Sequence, residues 1–565
     1  MLDKFHLNLY NSKKVDLLLS AIFAALILIT RIPFVSKYLY EWDSVNYALG
    51  FEKFDIMHHQ PHPPGYIFYV GLGRAINMFF NDPNTTMIFI SILFSILTVI
   101  LIYFLVKQMF SRQMAIIASL LLIFNPLLWY YGEISTIYPS EAFLATIIAY
   151  LSYQVFRGNE KFFYPSIITL GLAGGVRPDI IAYMFPLWLF CAFYNRRDSN
   201  RLLKAIIVLI PSVLVWFVPT VIFSGGYEQY FQAMVILSKK AFHISSILYG
   251  ITLVNQLTDI SSYFSWVGLG LTYSGIIVMI LFNKYAGKGP VHIFRENMRD
   301  PRAIILILWV LPASIMYLLI TLAKPGYILV FAPALAIVLA YFVKGLSYNL
   351  STKFKRHSPQ KWIAIVLSLI ILFNVVYFVF PYPINEEKLW ETPVNDLGDY
   401  NGILFGLDMG FMSVDKKINS NDHSTQTYLD AISKVPGSNS SNTIIAIGEI
   451  NHENEGFNWR KAMYYLPDYQ VYYLIEADHF ITSEWYGKNH TNTWLDSNIF
   501  KINVNSSTKK IIWVISNQSA YFPQIKSQVP VKTINLESGQ KIYYCDIEYN
   551  QIENNTLIFS GPEQF

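Results

Sequence analysis

The chain has 565 residues, of which 53% are hydrophobic and only 14% are charged, whereas soluble domains typically carry about 25% charged residues. Its net charge of +4 is spread over short loops and forms no single basic patch, so the composition excludes an ordinary soluble domain and argues against a nucleic-acid partner. The long apolar runs lie in residues 1–380, and residues 381–565 have an ordinary polar composition. We therefore predict a multispan α-helical membrane domain (1–380) followed by a small α/β domain (381–565).

The apolar runs predict about 11 transmembrane helices, because about 20 apolar residues are needed to cross the hydrocarbon core. The predicted spans lie near residues 15–35, 86–106, 113–129, 139–156, 163–177, 178–195, 202–223, 262–282, 303–321, 326–345 and 362–380. The segment Pro64–Phe80 is apolar but contains Gly71, Gly73 and Arg74. We interpret it as a helix lying at the outer membrane interface.

Basic residues predict the orientation in the bilayer. Every loop assigned to the inner side carries lysine or arginine, as in Lys13–Lys14 and Arg196–Arg197, and the outer loops carry fewer. The positive-inside rule then puts the N-terminus in the cytoplasm. An odd number of spans makes residues 381–565 an extracytoplasmic domain of a multi-pass protein of the cell membrane.

The predicted C-terminal domain alternates strands and helices, which favours an α/β arrangement over a sandwich. The spacing of apolar residues and the residue composition predict the strands Thr443–Ile447, Tyr469–Leu474, Lys510–Ile515 and Lys541–Cys545. The same signals predict the helices Thr425–Ser433 and Asn458–Tyr465.

The segment Tyr40–Ser44, in the first outward loop, contains the strongest candidate for a catalytic residue, Asp43. An acid at a membrane face is costly and therefore suggests a function. A carboxylate within hydrogen-bond reach can take the proton of an attacking hydroxyl group. Glu41 either shares the same pocket or points to water. The alternative is that Asp43 is a solvated loop acid without a role.

The segment His62–Tyr66 reads His-Pro-Pro-Gly-Tyr and predicts a rigid corner, because two prolines fix φ and the glycine relieves the next position. His62 would contact a phosphate or a sugar hydroxyl, or it is a surface histidine in a structural turn. His58 and His59 lie nearby, but their spacing matches no standard zinc pattern. We predict no metal and no cofactor; a divalent metal is conceivable but nothing in the sequence indicates one.

Further candidates lie in other loops assigned to the outer side. Glu133 would bind acceptor hydroxyls or is a helix-end acid in water. Asp179 would pair with Arg177 or, as a second choice, bind sugar. Lys324 precedes a glycine turn and Tyr327, where it would bind a phosphate at the headgroup level or extend from the membrane as an ordinary surface lysine.

The acidic first loop, the His-Pro-Pro turn and the Gly132-Glu133 loop together resemble the GT-C superfamily of membrane glycosyltransferases. In pattern they are similar to protein O-mannosyltransferases and lipid A aminoarabinose transferases, a group like glycosyltransferase family 39. The resemblance covers roughly residues 15–345 and implies a polyprenyl-phosphate sugar donor and a glycan, lipid or protein acceptor. It also implies sugar transfer with inversion on the outer side of the membrane.

The resemblance assigns Asp43 as the catalytic base. It assigns Lys324, Tyr327 and Arg74 to the donor phosphate, and Glu41, His62, Glu133 and Asp179 to the sugar or acceptor. Ser44 follows Asp43 where the family often has a second acid. Two other interpretations stay open: a transporter or flippase of lipid-linked glycans, and a non-catalytic membrane scaffold that binds glycans. A phosphoethanolamine transferase is a third alternative, but it would need a metal-bound nucleophile.

Overall fold

The computed structural model describes residues 13–194, 196, 199–246, 252–286, 299–320, 324–355, 357–379, 414–448, 457–474, 490–492, 499–536, 540–548, 552 and 555–560. The chain divides into two compact units. The helical unit comprises Met1–Val35 and Tyr66–Lys416, and the sheet unit comprises Ser36–Gly65 and Lys417–Phe565. The predicted domain boundary at 380/381 falls outside the described residues and stays a prediction.

The helical unit is built from apolar helices with outward-facing aliphatic side chains, such as Leu17 (73% exposed) and Ile222 (64% exposed). Such surfaces suit contact with lipid. In chain order its helices are α1 (Lys13–Arg31), α3 (Ile67–Phe80), α4 (Pro83–Met109), α5 (Arg112–Ile123), α6 (Pro126–Tyr131), α7 (Tyr138–Phe156), α8 (Phe163–Ala173), α9 (Asp179–Phe193), α10 (Ser199–Phe223), α11 (Tyr227–Ser245), α12 (Leu253–Gly270), α13 (Tyr273–Ala286), α14 (Pro301–Leu319), α15 (Ala332–Phe354) and α16 (Pro359–Val379), with α2 belonging to the sheet unit.

The predicted number of 11 spans is not confirmed. Among the described residues, six helices are long and apolar enough to cross a membrane, or seven if one bent pair counts as a span. The six are Lys13–Phe34, Pro83–Met109, Asn200–Phe223, Pro301–Leu319, Ala332–Phe354 and Pro359–Val379. The protein is therefore a multi-pass membrane protein by its apolar helices, and within the described part of the chain fewer helices reach full span length than the sequence predicted.

Two of the unconfirmed spans are apolar runs that the backbone breaks. The run predicted at 113–129 divides into α5 and α6, because Asn125 accepts hydrogen bonds from the N–H groups of Leu127 and Leu128 and so starts a new helix. The run predicted at 262–282 bends by 83° between α12 and α13, where Thr272 has a left-handed φ of 58°. Hydropathy counts apolar residues and does not detect such breaks. The segment Pro64–Phe80 contains a helix, α3, of 14 residues, and its position at the membrane interface stays a prediction.

The sheet unit contains a six-stranded mixed sheet of order β3-β2-β1-β5-β7-β6. Strands β1, β2, β3 and β5 run parallel, and β7 pairs antiparallel with both β5 and β6. The bounds are β1 (Thr443–Ile447), β2 (Gln470–Tyr473), β3 (His490–Asn492), β5 (Lys510–Val514), β6 (Lys532–Asn535) and β7 (Lys541–Asp546). A separate antiparallel pair joins β4 (Ile499–Asn503) and β8 (Thr556–Ser560).

The helices of the sheet unit are α2 (Trp42–Glu52), α17 (Val414–Ser433), α18 (Trp459–Tyr465) and α19 (Tyr521–Gln528). The four strands and two helices predicted from the sequence are present, and the α/β prediction is confirmed.

Residues 36–65, the first predicted outer loop, pack within the sheet unit. The carboxylate of Asp422 on α17 accepts hydrogen bonds from the Ser36 hydroxyl at 2.7 Å and from the Lys37 backbone N–H at 2.7 Å. The Leu39 N–H donates to the hydroxyl of Tyr465 on α18 at 2.9 Å. The segment that carries Asp43 is therefore held by residues of α17 and α18, which are distant from it in sequence.

Candidate active site

A capping box at the start of α2 places Asp43. The Glu41 side chain accepts from the backbone of Ser44, and the Ser44 hydroxyl accepts from the Glu41 N–H at 3.2 Å. This reciprocal pair starts the helix. Asp43 then lies in the first turn, where the helix dipole favours a negative charge. Glu41 thus has a structural part as N-cap, and its predicted contact with an acceptor stays a prediction.

Asp43 and His62 meet in this unit. The His62 Nδ1 atom lies 3.4 Å from Asp43 Oδ1, and the side chains are 14% and 28% exposed. The His62 ring packs on Tyr47 at a centroid distance of 5.7 Å. The Asn46 amide points its Nδ2 at Asp43 Oδ1, 3.5 Å away. The carboxylate is therefore oriented on one side and open enough to meet a small polar group.

The loop that carries His62 is fixed by backbone hydrogen bonds. Asp55 and Gln60 exchange two of them, at 2.7 and 2.9 Å, and the Gly65 N–H closes a turn onto the His62 carbonyl at 3.1 Å. Gly65 has a φ of 107°, which other residues rarely adopt. The sequence thus forms a turn at the corner predicted for His62–Tyr66.

The carboxylate of Asp55, in the same loop, is fixed by two neighbouring side chains. It lies 3.0 Å from Lys53 Nζ and 2.9 Å from His58 Nδ1. Burial raises the pKa of Asp55, but hydrogen bonds from His58 and Lys53 outweigh that effect, so that its pKa lies below the ordinary 3.8. Asp55 therefore stabilises the conformation of the loop.

Arg460 on α18 is a residue that the sequence reasoning missed. It is fully buried, and its guanidinium donates to Asn46 Oδ1 at 2.7 Å and to the carbonyl of His59 at 2.7 Å. It also lies over the rings of Trp42 and Trp459, 5.8 and 5.6 Å from their centroids. No local motif marks an arginine in a short helix as buried, so only the tertiary structure identifies it.

In the helical unit, Arg177 is the centre of a second cluster. Its Nη1 lies 2.7 Å from the carboxylate of Glu141, whose side chain is 1% exposed. Its Nε lies 3.2 Å from Asp179, whose side chain is 44% exposed. The pairing of Arg177 with Asp179 agrees with the first interpretation of that motif. The sequence reasoning missed Glu141, although an acid in an apolar run was a signal that could have found it.

Tyr327 belongs to the same cluster. The Arg177 guanidinium lies 4.3 Å from the centre of its ring, and Tyr317 stacks on it at 5.3 Å. Lys324 precedes the 3₁₀ helix Pro325–Val330, and its side chain is exposed. Arg74 is exposed on α3. The structure thus joins Asp179 and Tyr327 through Arg177, while the phosphate roles of Tyr327, Lys324 and Arg74 stay predictions.

Glu133 is fully buried in the helical unit, so the alternative of a helix-end acid in water is wrong. Its Oε1 accepts from Trp129 Nε1 at 2.7 Å, and the buried Arg31 interacts with its charge. Arg31 also lies 4.9 Å from the centre of the Trp129 ring. The carboxylate is closed off from solvent, so this geometry gives no support to its predicted contact with acceptor hydroxyls.

Comparison with known proteins agrees with this architecture. Residues 61–223 match the family model described as dolichyl-phosphate-mannose-protein mannosyltransferase. The structure matches ArnT from Cupriavidus metallidurans bound to undecaprenyl phosphate, with a TM-score of 0.54, 11% identity, and coverage of 95% of this chain and 98% of that one. It also matches the oligosaccharyltransferase of Archaeoglobus fulgidus in the apo form, with a TM-score of 0.45, 13% identity, and coverage of 97% and 76%. No curated protein sequence matches significantly.

The apolar helices define a multi-pass membrane protein, and its fold is shared with ArnT. The family match covers residues 61–223, which are less than a third of the chain. The resemblance seen in the sequence agrees with this family match and with the shared fold.

Proposed function

We propose that the protein transfers a sugar from a polyprenyl-phosphate donor to an acceptor hydroxyl, with inversion, and that Asp43 is the general base. The observation that carries the proposal is the pairing of Asp43 with His62 at 3.4 Å, at the start of α2. A general base must lie within hydrogen-bond reach of the proton that it takes. Asp43 is held in place yet 28% exposed, which meets that need.

A lipid-phosphate donor is supported by the family description, which names dolichyl-phosphate-mannose, and by the undecaprenyl phosphate in the matched ArnT structure. Lys324 and Arg74, both exposed cations of the helical unit, are the proposed phosphate ligands, with Tyr327. A cation near the leaving phosphate stabilises the charge that develops on it.

In the proposed reaction, Asp43 takes the proton of the acceptor hydroxyl, and that oxygen attacks the anomeric carbon of the donor. The bond from the anomeric carbon to the phosphate oxygen breaks, and the phosphate leaves with the electron pair on its lipid. His62 orients the Asp43 carboxylate, and Glu41 and Asp179 are proposed ligands of sugar or acceptor. The burial of Glu133 limits its proposed part to holding Arg31 and Trp129.

We also propose that the reaction takes place on the outer side of the membrane. The distribution of lysine and arginine supports this, because it puts the N-terminus in the cytoplasm and therefore the segment after the first span, which carries Asp43, on the outer side. Accessibility of an engineered cysteine in residues 417–565 to a membrane-impermeant thiol reagent tests it in intact cells, with the buried Cys191 and Cys545 as background.

The main experiment measures transfer of radiolabelled sugar from polyprenyl-phosphate donors in membranes, with wild type, Asp43→Asn and Glu52→Gln side by side. Glu52 is an exposed acid at the other end of α2 and so controls for loss of a charge from that helix. We expect labelled product from wild type and Glu52→Gln, and a loss of at least about 10²-fold in Asp43→Asn at equal protein level.

Equal labelling by wild type and Asp43→Asn would remove Asp43 from the role of base. Donor flipping by wild type and by Asp43→Asn without any labelled product would favour a transporter. Binding of glycan without transfer or flipping would favour a scaffold.

A further inference from the structure

Arg460 carries a full charge in the interior of the sheet unit, where it is 0% exposed. A buried charge is costly unless its donors are satisfied. Its described hydrogen-bond partners are neutral oxygens and a thioether: Asn46 Oδ1, the carbonyls of His58 and His59, and Met463 Sδ. The fold therefore holds a buried cation at a place where the oxygen atoms that it contacts belong to the Asp43 segment.

Arg460 binds both parts of that segment. Its Nε donates to Asn46 on α2 at 2.7 Å, and its Nη2 donates to the His58 and His59 carbonyls at 3.1 and 2.7 Å. Helix α2 carries Asp43, and the loop after His59 carries His62. A planar guanidinium with a fixed set of donors therefore ties together the two pieces of backbone whose side chains meet at 3.4 Å.

Arg460 also decides which way the Asn46 amide faces. Arginine can only donate hydrogen bonds, so Asn46 must turn its oxygen toward Arg460. The NH₂ group of Asn46 then faces Asp43, with Nδ2 3.5 Å from Oδ1. A donor aimed at the carboxylate favours its ionised form, which is the form that a base needs.

We propose that Arg460 is a positioning residue of the transfer reaction, which acts on Asp43 through Asn46 and through the loop that carries His62. This inference rests on the proposed role of Asp43 as base. It gives α18 of the sheet unit a part in catalysis without contact with the substrate. Among the contacts described around Asp43, the charged and titratable groups that bear on its ionisation include His62, Glu41 at the N-cap, and Arg460 behind Asn46.

The test compares Arg460→Met with a matched control, Lys461→Met. Lys461 is the next residue on α18 and is also 0% exposed, but its Nζ donates to Asn421 and Thr425 on α17. Both variants lose a buried cation from the same helix, and only Arg460→Met loses the bond to Asn46. Protein level and Tm in detergent show whether each variant folds.

The variant Asn46→Asp separates positioning from stability. It keeps an acceptor for Arg460, so the fold holds, but it removes the donor to Asp43 and adds a negative charge beside it. We expect kcat to fall about 10²-fold with KM for the donor within about threefold, because misplacement of a catalytic group acts on the chemical step. We also expect the acidic limb of the pH–rate profile to move up by about one unit, because a like charge raises the pKa of a carboxyl group.

For Arg460→Met we expect the same fall in kcat and the same direction of the pH shift, whereas Lys461→Met keeps the wild-type profile. In the double variant Arg460→Met/Asn46→Ala the losses should not add, since both act along one path. Wild-type pH profiles in Arg460→Met and Asn46→Asp, or equal losses in Arg460→Met and Lys461→Met, would overturn the proposal.

The outcomes also separate this inference from the proposed function. If Asp43→Asn retains transfer, the base itself is wrong. If Asp43→Asn is inactive while folded Asn46→Asp and Arg460→Met both keep the wild-type kcat and pH profile, the base stands and the positioning role fails. A double-mutant cycle of Arg460 and Asn46 on Tm tests the contact without any activity, and additive changes in Tm would contradict it.

Discussion

Arg177 lies 2.7 Å from the carboxylate of Glu141, and their side chains are 9% and 1% exposed. The same guanidinium faces the ring of Tyr327 at 4.3 Å and pairs with Asp179 at 3.2 Å. Its charge is therefore met by two carboxylates and an aromatic face in the apolar interior of the helical unit. Such a pair is retained when the geometry satisfies both partners, because either charge alone would be costly to bury.

Removing one partner of this pair should destabilise the protein strongly. We expect Arg177→Met to lower the free energy of unfolding by about 3–5 kcal/mol, because it leaves the Glu141 carboxylate buried and uncompensated. The measurement is thermal unfolding in detergent. The double variant Arg177→Met/Glu141→Leu should recover most of the loss.

The matched control is Lys532→Met, which breaks an exposed pair with Asp546 whose side chains are 60% and 52% exposed. Surface pairs contribute little, so we expect no measurable change in Tm. A loss in Lys532→Met as large as in Arg177→Met would contradict the role given to burial.

The sequence predicted the parts of this molecule that local patterns encode. Apolar runs gave the membrane domain, alternating patterns gave the strands β1, β2, β5 and β7, and an acid beside a His-Pro-Pro turn indicated Asp43 and His62. These two residues are 19 positions apart, and their contact at 3.4 Å was not predicted from the sequence.

Residues that depend on distant partners were not predictable in the same way. Arg460 reaches Asn46 across 414 positions of sequence, and nothing in its local sequence marks it as buried. The predicted span count was not confirmed for a related reason. Pro126, beside Asn125, and Thr272, between α12 and α13, interrupt apolar runs by backbone geometry, which hydropathy does not register. Glu133 lies in a segment that the sequence predicts as a loop, but in the structure its side chain is fully buried.

Gly326, in the turn between Lys324 and Tyr327, should tolerate no side chain. A Cβ atom there would lie 2.4 Å from the Tyr138 ring. We expect Gly326→Ala to lower the free energy of unfolding by about 1–3 kcal/mol, the usual cost of overpacking. Thermal unfolding of the purified protein measures it.

Gly71→Ala is the control for that substitution. Gly71 lies inside α3, and a Cβ atom there would meet nothing within 4 Å. Alanine should be neutral or stabilise the protein by up to about 1 kcal/mol, because glycine is costly inside a helix. Equal effects of the two substitutions would refute the close approach of Gly326 to Tyr138.

The stability contribution of Asp55 should depend on pH. Its pKa in the folded protein lies below the ordinary 3.8, through hydrogen bonds from His58 and Lys53 that outweigh burial. A depressed pKa stabilises the folded state above the unfolded pKa, and this stabilisation is lost as the pH falls through the folded pKa. We therefore expect Asp55→Asn to have a lower Tm than wild type at neutral pH.

The difference in Tm between wild type and Asp55→Asn should shrink as the pH is lowered from neutral toward about pH 3. Glu52→Gln, which alters an exposed acid three residues earlier, should follow wild type at every pH. If this difference in Tm stays constant over the pH range, Asp55 stabilises the protein through its packing and not through its charge.

Lys324 is proposed to bind the donor phosphate by charge, so its replacement should act on donor binding. We expect Lys324→Gln to raise KM for the polyprenyl-phosphate donor by about tenfold, the value of one charged hydrogen bond. Lys324→Arg should keep most of the affinity, since it keeps the positive charge. Lys361→Gln, which alters an exposed lysine at the start of α16, should leave KM unchanged.

Initial rates over a range of donor concentrations measure KM for all three variants. The effect of Lys324→Gln should diminish at high ionic strength, because salt screens exposed charges. If KM of Lys324→Gln equals that of wild type at low salt, the phosphate is bound by other residues.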